Sequence, residues 1–250
     1  LSVKESIRDA HSSLAVLIKN PAWRLVEAVK TLRDSDGNIL IKDWYDEVIP
    51  FSKTDLELIM KEPFDQNVFK KEFGIKSFVG NKKNLDAKKA LVGDATCNIA
   101  GFISGYTGDG AKTVLPGDAL VKIDFRLIPK MEPKKQILRL KKHLKLCGFG
   151  DVKIKIFHGE AAARTDSSHP FVSQVKDASD KIFGTSILNV SNAGTGPMYP
   201  FVDILKSPCI SIGSTYMFSR IHSPNEFARI DLLKKTTKCM CLIMQNFGKN

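Results

Sequence analysis

From Val121 to Leu127 apolar and polar residues take strict turns, Val121, Ile123, Phe125 and Leu127 against Lys122, Asp124 and Arg126. Successive side chains of an extended chain point to opposite faces, so this alternation requires a strand with one buried and one solvated side. Such a strand needs neighbours and a covering layer, and the residues around it can supply both. Pro133 opens a helix with Ile137, Leu140, Leu144 and Cys147 on one stripe, Gly148 and Gly150 stop it, and "VKIKIF" alternates again as a strand.

The same units occur upstream. The first residues read as a strand up to Asp9, followed by a polar turn at His11-Ser12-Ser13. Asn20-Pro21 is an N-cap with proline at the first helical position, and Leu25, Ala28, Val29 and Leu32 then share one face. Asp34 to Gly37 ends that helix, and strands resume at Cys97. The order strand, helix, strand, strand, helix, strand implies an α+β chain: a split βαβ, ferredoxin-like sandwich over residues 1–158. A helical insertion at about 43–92 is expected to decorate it.

Residues 159–250 read as an incomplete α/β segment. A helix is expected from Pro170 to about Phe183, short strands at Ile187–Val190 and "SPCISIG", and a turn and helix in "NAGTGPMYPFVDIL". Asp231 is expected to cap a last helix carrying Ile230, Leu233, Met240, Met244 and Phe247, with Gly248 ending it. So few strands cannot close a sheet, and this part needs a further segment.

Composition limits the partners. The net charge of +11 comes from 30 Lys and 8 Arg, spread along helix faces and strands without an arginine-rich arm. RNA-binding sheets present aromatics, whereas the polar side of the 121–127 strand carries Lys122, Asp124 and Arg126, so no nucleic-acid partner is expected. No apolar run nears the roughly 20 residues of a membrane span, so no membrane partner is expected either. Five cysteines without a CxxC fit reduced thiols and a cytoplasmic location.

"GYTGDGAKT" superficially resembles a phosphate-binding loop. Its Gly105 to Lys112-Thr113 interval is one residue too long, and a proline and strand follow where a helix is required. Taken singly, the other polar positions have ordinary readings. Arg126 is an exposed sheet-face arginine that could also grip a carboxylate. His11 is a loop histidine, His169 precedes the Pro170 helix, Thr195 is a turn residue, and His222 in "IHSPNE" precedes a helix.

Together, "RDAHSS", "NIAGFISGYTGDGAKTVLP", "VKIDFRLIPKMEP", "AARTDSSHPF", "GTGPM" and "IHSPNE" resemble the M20 family of metallopeptidases, particularly its dipeptidase and carboxypeptidase branch. The stretches stand in the family's order, and the 13-residue interval from Thr113 to Arg126 is the one expected between two substrate-contacting positions. The resemblance implies a catalytic α/β domain with two divalent ions, zinc or manganese, and an inserted lid through which the enzyme forms a homodimer. Residues 1–158 would be the lid and 159–250 the last part of the catalytic domain. His222 would be a metal ligand and Arg126 would hold the substrate's carboxylate. His11 would polarise the scissile carbonyl across the dimer. Thr113 would contact substrate in the partner's site and Thr195 in its own, with His169 matching the family's "SHP" segment.

This chain departs from the family at "RDAHSSLAV", where the family more often has HSG and further glycines. It also holds neither His-x-Asp nor Glu-Glu, the family's other ligands and general base. The chain is therefore expected to be the C-terminal portion of a peptidase that uses metal-activated water. Alone it is expected to bind no metal tightly and to be inactive. Two alternatives stay open: an M20-type deacylase of N-acyl amino acids, and a non-catalytic dimerisation or interaction module.

Overall fold

The computed structural model describes residues 1–192, 194, 196–214 and 218–248. It is a mixed α/β structure that divides into two compact units. Unit 1 comprises Leu1–Ile49, Val79–Asn81 and Asp94–Ala162; unit 2 comprises Pro50–Phe78, Lys82–Gly93 and Ala163–Asn250. The expected insertion thus falls for the most part with the C-terminal residues, whereas its position in the chain had suggested an ornament of the first domain.

Unit 1 holds a three-stranded antiparallel sheet of β1 (Ser2–Lys4), β5 (Asp118–Arg126) and β3 (Thr96–Ser104), in the order β1-β5-β3. Its buried face is the one the alternation marks out: Ala119 and Val121 are fully buried, Ile123 and Phe125 pack behind them, and Lys122 and Arg126 are exposed opposite. A bulge between Ile99 and Gly101 resets β3, so that Phe102 pairs with Val121 after Ile99 has paired with Ile123.

Two helices supply the remaining core. α1 (Pro21–Lys30) begins where Asn20 accepts the Ala22 amide and buries Leu25 and Ala28; α5 (Pro133–Leu146) buries Gln136, Leu140 and Leu144. Cys147, expected on that stripe, is the helix's last cap and is exposed. Trp44 packs on Phe125 with ring centroids 4.9 Å apart. Arg139 grips Glu47 through two nitrogens at 2.6 and 2.8 Å, tying α5 to the turn that carries Trp44.

"VKIKIF" does not form the expected strand. Only Lys153 pairs, exchanging two 2.9 Å backbone bonds with Ser2. That antiparallel register sets residue 154 opposite Leu1, and among the described residues 155–157 have no strand partner.

The described part of unit 2 is helical. It contains α2 (Lys53–Lys61), α3 (Gln66–Phe73), α4 (Asn84–Gly93), α6 (Pro170–Phe183), α7 (Ile230–Phe247) and a short π turn at Pro200–Ile204. The strands expected at Ile187–Val190 and "SPCISIG" are absent from its described residues, because no neighbouring segment pairs with them. Arg229, not Asp231, occupies the N-cap of α7; Asp231 lies in the first turn and accepts from the Arg229 guanidinium at 2.6 Å.

A buried carboxylate explains why the insertion joins unit 2. Asp55 accepts the Ser52 amide in a capping box at the start of α2. The same side chain accepts the Ser167 hydroxyl at 3.0 Å and faces Arg164 at 3.6 Å. Lys88 of α4 donates to the carbonyls of Ile59 and Glu62 at the end of α2, which satisfies its buried ammonium and two orphan carbonyls together.

Candidate functional site

In unit 1 a two-residue ladder joins β2 (Ala10–His11) to β4 (Val114–Leu115). It brings His11 beside Thr113: the Ser12 amide donates to the Thr113 carbonyl at 3.1 Å, and His11 Nε2 lies 3.4 Å from Thr113 Oγ1. Asp9 anchors this ladder by accepting the Gly117 amide at 2.9 Å. A Cβ on Gly117 would lie 3.1 Å from the Arg8 carbonyl carbon, so glycine is what allows the two strand ends to close. Asp9 and Gly117 were not singled out by sequence; the signal was Asp9 standing two residues before His11.

Arg126 ends β5 in the three-stranded sheet, which is separate from the β2–β4 ladder. Its amide donates to Thr96 Oγ1 at 3.3 Å, and its guanidinium lies 4.0 Å from Asp124. The nine residues of β5 span about 26 Å at the usual rise. His11 and Thr113 therefore lie toward the Asp118 end of the strand and Arg126 at the other.

In unit 2 His169 is the N-cap of α6, its Nδ1 accepting the Phe171 amide at 3.1 Å ahead of Pro170. Asp166 accepts both the amide and the hydroxyl of Ser168 and braces this turn. Those bonds hold the Asp166 carboxyl below its ordinary range. His222 is exposed in a turn where Arg220, His222 and Asn225 all adopt positive φ, near 60°. Three non-glycine residues in that conformation within six positions is unusual. Thr195 lies outside the described residues.

Among the described residues no group of three or more His, Cys, Asp or Glu could hold a metal ion. The donors present therefore do not by themselves fit a metal centre, which needs about four ligands or three with water. No described helix is long and apolar enough to cross a membrane.

Residues 1–146 match the family model of the peptidase dimerisation domain of M20 enzymes. The chain belongs to the M20 metallopeptidase family. An M20 family metallo-carboxypeptidase from Sulfolobus solfataricus superposes with a TM-score of 0.90 at 34% identity, over 98% of this chain and 56% of that one. Human beta-Ala-His dipeptidase is 24% identical over 90% of this chain and 46% of its own length. The Cys-Gly metallodipeptidase of Saccharomyces cerevisiae is 24% identical over 97% of this chain and 52% of its own. The chain thus spans about half the length of the curated relatives it matches. M20 relatives described as metallopeptidases imply a divalent metal in the family's chemistry.

Proposed function

We propose that this chain is the lid and part of the catalytic domain of an M20-type enzyme that hydrolyses the amide bond of peptides with a free carboxylate, as a dipeptidase or carboxypeptidase. The observation that carries the reading is the separation along β5. Arg126 holds the substrate carboxylate of its own subunit's site, while His11 and Thr113 serve the site of a second copy. A guanidinium fixed at a strand end is suited to a bidentate carboxylate contact. His11 offers a ring N–H to the carbonyl oxygen, where charge develops as the amide is attacked.

The homodimer forms through the lid. β3 is an edge of the sheet, and its Ile99 and Ile103 are about half exposed, which favours pairing with a second copy. The sheet order, extended by Lys153 beside β1, supports a ferredoxin-like lid. His222, in its strained turn, is this chain's contribution to a centre of two divalent ions, zinc or manganese. Thr195 and His169 line the substrate side. The remaining ligands and the general base lie outside these 250 residues, so the chain alone hydrolyses nothing.

The test is complementation in the intact gene product. His11→Ala and Arg126→Ala homodimers should each be nearly inactive. Random mixing should restore about a quarter of wild-type activity, because half of the dimers are hybrids with one of two sites complete. No recovery on mixing, with subunit exchange verified, would overturn the shared-site reading. Dipeptides should be cleaved in preference to N-acyl amino acids; the reverse preference would favour a deacylase.

A further inference from the structure

His11 Nδ1 receives two contacts from one residue. The Ser13 amide donates to it at 3.2 Å, and Ser13 Oγ lies 2.8 Å from it. A backbone amide can only donate, so Nδ1 must present its lone pair. A nitrogen whose lone pair is taken up this way carries no proton, which means that the Ser13 hydroxyl donates as well. The ring proton then sits on Nε2, the nitrogen facing Thr113 Oγ1 at a loose 3.4 Å. A bond that long is easily exchanged for a better acceptor.

We infer that Ser13 is a positioning residue: it locks the neutral His11 ring as the Nε2–H tautomer and aims that N–H at the place a substrate oxygen takes from the Thr113 hydroxyl. In metal-ligand histidines the bond at one ring nitrogen decides what the other can do. Here the same logic makes the imidazole a hydrogen-bond donor and denies it the part of a base. A glycine at position 13 would keep the amide contact and lose the hydroxyl. The serine, with both donors, holds the ring plane as well as the tautomer. Only the kinetic consequence rests on the peptidase reading; the tautomer does not.

The test begins with the intact gene product carrying nitrogen-15 histidine, at a pH where the imidazoles are neutral. Long-range nitrogen–proton correlations should show His11 protonated on Nε2, with an Nδ1 resonance displaced from that of His158, which is 81% exposed. Ser13→Ala should move the His11 Nδ1 resonance toward the His158 position, and Ser13→Thr should move it back. A proton on Nδ1 in the wild type, or an Nδ1 resonance unchanged by Ser13→Ala, would overturn the inference.

In the intact gene product Ser13→Ala should lower kcat roughly threefold to tenfold, the size of one net hydrogen bond, with KM changed by less than about twofold. Ser13→Thr should restore kcat. An unchanged kcat beside an altered Nδ1 resonance would refute the positioning role. If the wild-type product hydrolyses no peptide, the peptidase reading falls, and the resonances alone decide the tautomer.

Discussion

Replacing Asp55 by alanine tests why residues 50–93 fold with the C-terminal part of the chain. The residue is 6% exposed and its side chain serves three partners: the Ser52 amide at 3.1 Å, the Ser167 hydroxyl at 3.0 Å and the Arg164 guanidinium at 3.6 Å. Removing one member of a buried charged pair costs about 3–5 kcal/mol. Arg164 is about a quarter exposed and sits at ion-pair distance, so water takes over part of its loss. The Ser52 hydroxyl still caps the amide of residue 55. The expected cost is therefore about 2–4 kcal/mol. Urea denaturation followed by far-UV circular dichroism reads it, since the helical signal includes the five α-helices among the described residues of unit 2. Both tryptophans, Trp23 and Trp44, belong to unit 1, so their fluorescence follows the other unit separately. A double-mutant cycle with Ser167→Ala should give a coupling of about 1.5–3 kcal/mol, that of a bond to a charged acceptor. A coupling near zero, or an unmoved dichroism midpoint, would refute the view that this carboxylate binds α2 to residues 163–168.

Two further outcomes follow from charges and thiols. The Asp180 carboxyl accepts from Lys176 and from the amide and hydroxyl of Ser186, which hold it at about 2 against an ordinary 3.8. A carboxyl depressed in the folded state stabilises above its unfolded pKa, so this contribution is whole above about pH 4 and fades as pH falls toward 2. Asp180→Asn should flatten the dependence of Tm on pH in that window; an unchanged slope would count against these bonds. Burial pushes the Cys97 thiol up to about 11, whereas Cys147 and Cys241 are exposed. An aromatic disulfide reagent should therefore label Cys147 and Cys241 well before Cys97, as peptide mapping can show. Early labelling of Cys97 would contradict the packing of β3 on the core.

What could be read from sequence was local. Asn20-Pro21, Pro133 and His169-Pro170 mark helix starts because an N-cap and a proline act within one turn. The β5 alternation marks its buried face because side-chain period is a property of one strand. "VKIKIF" and "SPCISIG" misled for the opposite reason: alternation or apolarity permits a strand, but pairing makes one. The allegiance of the insertion depends on Asp55 meeting Ser167, 112 positions away, and nothing near Asp55 announces it. His11 and Thr113 are 102 positions apart, and only the M20 resemblance linked them before the β2–β4 ladder brought them together. Ser13 passed unmarked because its contacts lie within its own turn and serine there looks like any polar loop residue.

The interleaving of the two units has a consequence for synthesis. Residues 50–93 leave the ribosome before most of unit 2, which is encoded after residue 162. At the usual 5–20 residues per second, the end of α4 waits roughly 4–18 s for α6 and roughly 8–31 s for α7 to be made. Unit 1 must meanwhile join residues 1–49 to 94–162. During that interval amphipathic helices stand without their permanent neighbours, as clients for whatever chaperone attends the exit tunnel. Nor can a single cut of the gene yield both units, since each is threaded through the other's stretch of coding sequence.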